Sequence, residues 1–550
     1  MRPLIQHVPT VLSPESLIES LGDETGVVLL RSAGFDSPQA RYSFVAARPF
    51  LTFRSFGSRC EITCPVAGDV RRRTDAVTES TTPPPHVGGS VQFGNPWHVL
   101  DALMARYELL DEIDLPFPLG GCFGYWGYDL KNFVEPKLPR RAPDDLELPD
   151  CHVRFYDSLV AFDHRLGKTC VVSTGLGADG SRSESRAQVR AEFWREHLER
   201  EANRPLTPAL SPSDEEREEM LSTKVQPRVA ESPSVARGRF PLPLGGGEGQ
   251  GEGSALFGGI CSNLSRAEFL SAVHRAQRYI RGGDIYQVNL AQRLEAPCPF
   301  SGWELFERLL AVSPAPFAAF LDCGEFQIAS SSPEQFLRMS GPQIVTRPIK
   351  GTRPRSADAT RDAQLAYELQ TSPKELAELV MITDLMRNDL GRVCEFGSVQ
   401  VPELARLERF AQVQHLISTV EGRLRPDVTH FAALAACFPG GSISGAPKFR
   451  AMEIIDELEP LARGPYTGCH GYLGFNRESQ LSISIRTAIR KGGTAYFHAG
   501  AGIVADSAPE AEYEETLAKA RGFLSALRRP GPAAVSTASR PNHTSGRDYS

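Results

Sequence analysis

Apolar residues recur along this chain in two rhythms, every second position and every third or fourth, and each rhythm predicts its own element. Val27–Leu30 and Arg41–Ala46 read as strands, and Trp97–Leu110, with Val99, Leu100, Leu103, Leu109 and Leu110, reads as a helix. Leu119–Tyr128 mixes glycine with aromatic residues, a pattern for a strand lying close against another backbone. Arg186–Glu199 follows as a polar helix. Ser265 and Glu268 make a capping-box pair ahead of a helix carrying Phe269, Val273, Ala276 and Ile280, which Gly282-Gly283 ends. Asp284–Arg293 alternates as a strand, and Phe326–Ala329 and Gln343–Thr346 are two more. Lys374–Met386 is a helix apolar over much of its surface and is therefore expected to be buried. Glu510–Leu527 is a helix with a core stripe of Tyr513, Leu517, Ala520, Leu524 and Leu527.

The rhythm fails in two places. Residues 203–253 are rich in Pro, Ser, Glu and Gly, too poor in large apolar side chains to offset the entropy of ordering, and are expected to be a disordered insertion or linker. The tail 529–550 has the same character. The chain thus divides into an N-terminal region 1–202 that reads as one folded unit, the insertion, a region 254–528, and the tail.

Composition narrows the class. With 550 residues, 41% hydrophobic and 23% charged, the chain has the make-up of a globular protein with a large core. A net charge of -7 leaves no basic footprint, so no nucleic-acid partner is expected. The N-terminus lacks an apolar signal region and no apolar run reaches membrane-spanning length, so a cytoplasmic protein with no membrane association is expected. Eleven cysteines lie scattered without paired spacing, which argues against a disulfide framework and a structural zinc site. Gly120–Gly124 carries a G-x-C-x-G pattern of the kind that presents a glutamine-hydrolysing cysteine. Its aromatic continuation and the lack of an accompanying His-x-Glu argue that the chain does not itself hydrolyse glutamine.

The candidate chemistry centres on Arg347-Pro348-Ile349-Lys350-Gly351-Thr352-Arg353. Pro348 disfavours helix at Arg347, Gly351 marks a turn, and Lys350 is expected at a strand end. Glu334 stands at the end of the preceding strand. A lysine amine and a carboxyl presented this way suit a nucleophile and a proton donor, although the two segments alone read more readily as surface charge. Glu378 lies within an apolar helix and needs a cation or hydrogen-bond partner there, a salt bridge to Arg387 or Arg392 being the plain solution. Glu512, Glu515 and Lys519 share one face of the last helix. Those carboxylates together would make a hard-oxygen site suited to magnesium. Ala499–Ser507 permits close backbone approach to a ligand, Pro439–Lys448 can cradle an anion on its amides, and Arg486 can clamp a carboxylate. Jointly these features suggest a small polyanionic substrate.

The motifs together resemble the chorismate-utilising enzymes, the family of anthranilate synthase component I and aminodeoxychorismate synthase component I. The matching blocks are PIKGT from Pro348, DLMRNDLGRV from Asp384, GGSISGAPK from Gly440, RGPYTG from Arg463, SISIRT from Ser482, AGAGIVADS from Ala499 and EAEYEETLAKA from Glu510, spanning roughly 258–528, with weaker matches at LLRS and RYSF. The resemblance implies an α+β fold in which two large antiparallel sheets pack together with helices outside. It implies Mg2+ held by Glu378 and Glu515, with Glu512 nearby. It also implies chorismate bound by Tyr466, Arg486, Gly502 and Lys519 and by the backbone from Gly441 through Ser442 to Ser444, with His415 near the substrate. Lysine in PIKGT resembles the aminodeoxychorismate synthases, where anthranilate synthases usually have alanine. By that analogy Lys350 attacks C2 of chorismate, Glu334 is the general acid for the departing C4 hydroxyl, and ammonia then enters at C4 and expels the lysine. The attacking amine must be neutral, and Arg347 and Arg353 are the cations placed to favour that form. The product would be 4-amino-4-deoxychorismate, on the route to para-aminobenzoate and folate. Anthranilate synthesis and a non-catalytic chorismate-binding subunit are the alternatives. Gln287 departs from the water-activating lysine of the related isochorismate and salicylate synthases. Ser32, Tyr42 and Ser43 resemble the family's tryptophan pocket, but Arg31 replaces its usual glutamate. Ammonia would come from a separate glutamine amidotransferase subunit.

Overall fold

The computed structural model describes residues 2–32, 40–64, 88–110, 115–202, 240–241, 259–410 and 413–528. The expected tail and all but two residues of the expected insertion lie outside these. Among the described residues no helix is long and apolar enough to cross a membrane.

Two large sheets, of 13 and 12 strands, carry the fold, and every described pairing is antiparallel. Large apolar side chains fill the space between them: Phe44, Phe53, Phe123, Tyr125, Trp126, Phe155, Phe336, Leu337, Leu473 and Ile483 lie within one buried cluster. A second cluster, with Trp194, Phe306, Phe320, Phe497 and Phe523, seats outer helices on the 13-stranded sheet. A third packs the helices Arg266–Arg281 and Lys448–Leu458 against the strand Gln287–Pro297. This is the architecture of two packed antiparallel sheets with helices outside.

Residues 1–202 do not close on themselves as one unit. Val28–Arg31 pairs with Phe317–Asp322 in the first sheet, and Gly121–Trp126 pairs with Cys469–Gly474 in the second. Each sheet is completed only by strands from both sides of the insertion. Gly124 explains one close contact, because a Cβ there would collide with the backbone of His152 on the neighbouring strand. Cys122, on that same strand, is fully buried and its thiol is pushed well above its usual range by burial, so it presents no nucleophile. All eleven cysteines are free.

Local signals place several elements well. Ser265 caps its helix through the expected reciprocal bonds with Glu268. Trp97 belongs to a shorter helix, Pro96–Ala105. The strand expected at Asp284–Arg293 begins at Gln287 and is buried on both faces for most of its length, which removes the alternation. The helix Pro373–Gly391 is amphipathic, not buried: Leu379, Ile382 and Met386 face the core while Val380 is 48% exposed. Gly351 makes no turn. It interrupts the strand Ile349–Pro354 as a β-bulge at φ +70, a left-handed backbone suited to glycine.

Candidate active site

A cleft of about 630 Å³ collects side chains scattered over nearly two hundred positions of sequence. Glu334, Lys350, Glu378, His415, Ser442, Tyr466, Arg486, Gly502, Glu515 and Lys519 all line it. Lys350 stands next to the bulge at Gly351 and reaches the glycine-rich strand Thr494–Ile503 near Gly502. A Cβ on Gly502 would fall 2.5 Å from Gln287 Nε2 and 4.0 Å from Lys350 Nζ, so glycine there makes room for the Gln287 amide next to the amine. Among the described residues the Lys350 amine has no ion pair or hydrogen bond.

Glu334 is 6% exposed and follows the strand Phe326–Ser332. The Ser442 hydroxyl donates to its Oε1 at 2.6 Å, and the Ile349 amide donates to the same carboxyl. Burial raises the Glu334 pKa, only partly offset by Ser442, by the charge of Lys350 and by the amide. A carboxyl so held keeps its proton to higher pH, as an acid working near neutrality must.

Arg486 sits at φ 49, a strained backbone for any residue but glycine, fixed where the Ser331 amide bonds its carbonyl at 3.0 Å. Its guanidinium is half-buried, has no carboxylate partner among the described residues, and burial lowers its pKa. A cation left in that state calls for an anionic ligand. His415 is 2% exposed and pushed down to about 4, first by burial and further by the charge of Arg486, so the imidazole is neutral. Its Nδ1 faces the Thr352 hydroxyl at 2.9 Å and the Gly351 carbonyl at 3.3 Å. Tyr466 is stacked on His498, ring centroids 4.9 Å apart and 9° from parallel, and Arg463 lies 5.5 Å from its centroid. His498 was not read from the sequence as part of the site. A histidine in a buried alternating strand carries no local mark of the ring it will lie under.

The carboxylates meet from two helices. Glu378 has no ion pair among the described residues; Arg387 turns to Asp384 instead, and the Arg392 side chain has no part in holding Glu378. Burial raises its pKa, against the charges of Lys350 and Lys374 and with those of Glu375 and Glu515. Glu515 is bridged to Lys519 at 2.7 Å, and Lys519 also donates to the Gly500 carbonyl at 2.8 Å. Glu512 is 5% exposed, is hydrogen-bonded by Ser507 and does not line the cleft. Among the described residues no three carboxylate, histidine or cysteine groups form a metal cage. Two facing carboxylates of hard oxygen donors nonetheless suit Mg2+, which usually takes one or two carboxylates and completes its octahedron with water and substrate.

Three expectations change. Arg347 does not face Lys350: it lines a separate groove of about 390 Å³, pairs with Glu408 and bonds the Thr419 hydroxyl at 3.2 Å. Arg353 does line the cleft but is held by Glu375 at 3.3 Å. Gly441 does not line the cleft; a Cβ there would run into Leu385 and Met386, so it fits its loop against the Glu378 helix. In the N-terminal pocket, Ser32 and Tyr42 line a space of about 30 Å³ among the described residues, the share of one water. Ser43 lies beneath it, its hydroxyl bonded to the Ser32 amide at 3.0 Å and to His164 at 2.6 Å, while Arg31 pairs with Glu15.

A family model described as chorismate binding enzyme matches residues 248–525. The anthranilate synthase component 1 of Acetivibrio thermocellus is 36% identical, covering 94% of this chain and 93% of that protein. The aminodeoxychorismate synthase component 1 of Escherichia coli is also 36% identical, covering 91% of this chain and 93% of its own. The crystal structure of anthranilate synthase component I from Streptococcus pneumoniae superposes with a TM-score of 0.64 at 29% identity, covering 89% of this chain and 93% of that one.

Proposed function

The chain belongs to the family of chorismate-binding enzymes, and on that premise we propose that it makes 4-amino-4-deoxychorismate from chorismate and ammonia. Overall identity leans the other way, since relatives named anthranilate synthase component 1 reach 41% over 78% of this chain, against 36% over 91% for the aminodeoxychorismate synthase. The observation that carries the reading is Lys350, an unpaired amine in the cleft beside a buried carboxyl with a raised pKa.

In this reading the Lys350 amine, having lost its proton, bonds to C2 of chorismate as the C4–O bond breaks. Glu334 gives its proton to the departing hydroxyl, which leaves as water. Ammonia then bonds to C4 and the lysine is expelled from C2. Arg486 and Tyr466 hold one substrate carboxylate, and Lys519 orients the other side of the ring. Glu378 and Glu515 would hold Mg2+, which when bound neutralises substrate carboxylate charge. Neutral His415 offers a hydrogen-bonding edge without adding charge. Ammonia would be delivered by a separate glutamine amidotransferase subunit, since the buried Cys122 offers no nucleophile for making it here.

Chromatography of the products formed from chorismate, Mg2+ and ammonium tests this directly. Aminodeoxychorismate as the main product is expected. Anthranilate would establish the second reading, anthranilate synthase component I, which the names of several relatives favour. Glutamine alone should give no product until a cognate amidotransferase is added.

A further inference from the structure

We propose that the buried ion pair of Asp389 and Lys448 positions the proton donor Glu334, a role resting on the reading of Glu334 as general acid. Lys448 is the first residue of the helix Lys448–Leu458, where a cation is disfavoured by the helix dipole. It is there to reach other elements. Its Nζ donates to Asp389 Oδ2 at 2.5 Å and to the Cys437 carbonyl at 3.0 Å. Cys437 closes the helix His430–Cys437, so one ammonium joins both ends of the loop that contains Ser442.

Asp389 is 2% exposed and lies on the helix that bears Glu378, roughly three turns further on at about 3.6 residues per turn. Gly441 fits the same loop against Leu385 and Met386 of that helix. Ser442, the next residue, donates to Glu334 at 2.6 Å. Neither Asp389 nor Lys448 lines the cleft, so both are positioning residues. The clamp registers the loop, the loop carries the hydroxyl, and the hydroxyl sets the acid.

The other groups facing Glu334 are Lys350 and the Ile349 amide on the adjoining strand; Arg486, His415 and Glu378 line the same cleft. The clamp's contribution is separable from theirs through Ser442. Removing that hydroxyl takes away a donor that stabilises the carboxylate, so Glu334 would stay protonated to higher pH.

The test is the pH profile of kcat, followed by chorismate consumption, in Asp389→Asn/Lys448→Met beside Ser442→Ala and Glu334→Gln. The double variant removes both charges, a change that buried pairs often tolerate, and thermal unfolding checks that it folds. We expect kcat to fall roughly 10-fold or more, since displacement of a reacting group by about 1 Å can cost on the order of 10²-fold. Its basic limb should move to higher pH, as in Ser442→Ala, with KM nearly unchanged. A folded double variant with the wild-type kcat, or with a lower kcat and an unmoved limb, would overturn the clamp. If the double variant does not fold, Asp389→Glu, which shifts the charge by one methylene, should show the same limb movement in smaller measure, and an unmoved limb there would overturn it equally. If Glu334→Gln keeps the wild-type limb and rate, the reading of Glu334 as the acid fails and the proposal falls with it.

Discussion

Residues close together in the sequence open into two different cavities, and the contrast between them shows what marks a reactive site. Gln335 and Arg347 line the groove of about 390 Å³; Glu334 and Lys350 line the cleft of about 630 Å³. In the groove Arg347 and Arg406 each hold a carboxylate, Glu408 and Glu403 respectively, and Thr419 bonds to both Arg347 and Glu403. In the cleft Lys350 and Arg486 hold none. Both regions carry charges of both signs, so the presence of charge does not distinguish them. What separates Lys350 and Arg486 from Arg347 and Arg406 is that no carboxylate of the protein already answers them, and an unanswered, desolvated charge is costly unless a ligand completes it.

The comparison breaks most sharply at Lys350. Lys350→Ala should abolish or redirect amination, a loss on the order of 10⁴-fold or more for a covalent nucleophile, and a trapped adduct should map to the peptide containing Lys350. Full amination by the variant would leave the cleft with no nucleophile in this position.

Glu334→Gln comes next, with an expected fall in kcat of roughly 10²–10⁴-fold. The same variant carries a signature in stability. Burial raises the Glu334 pKa in the folded state, so the wild-type protein binds this proton more tightly folded than unfolded. That contribution is fully present below the unfolded value, about 4.3, and is lost as pH rises through the raised folded value. Glutamine has no such dependence, so the variant's stability relative to wild type should climb over that window in denaturant titrations. A constant difference would mean the carboxyl is not shifted.

Arg486→Met should raise KM for chorismate roughly 10–100-fold, the span of one charge-assisted hydrogen-bonded pair of about 1.5–3 kcal/mol, with Lys at this position recovering part of it. The smallest kinetic effect is expected in the groove. Arg347→Met leaves Glu408 without its partner and should cost about 1–3 kcal/mol of stability by thermal or chemical unfolding. Its KM should stay within a few-fold of wild type. A large kinetic defect there would erase the distinction between the two cavities.

Much of the site was legible because each residue stood in a recognisable element. Lys350 between proline and glycine turn signals, Arg486 in an alternating stretch of sequence, and Lys519 one turn beyond Glu515 all reach the cleft. Glu512 did not, because a shared helix face does not say which end of that face is buried. Arg347 and Lys350 read as neighbours, yet strand pleat and a bulge turn them into different cavities. Glycine at positive φ serves a turn and a bulge alike, and only the partner strand decides between them. The apolar count of the helix of Glu378 says nothing of how wide a face the sheet can cover. Nor does any local pattern reveal that Val28–Arg31 pairs with a strand from the far side of the insertion.

That last pairing governs how the molecule must be made. Arg31 is matched to Ala318, roughly 290 residues later, and at about 5–20 residues per second the partner strand leaves the ribosome roughly 15–60 s after the first. Through that interval the early strands can pair with one another, but the edge of Val28–Arg31 that takes the later strand stays open. Such distant pairing also places the chain among slow folders, since long loops must close before any contact rewards them. Translation speed and chaperone supply, more than the stability of the finished fold, should therefore govern the yield of active protein in a foreign host.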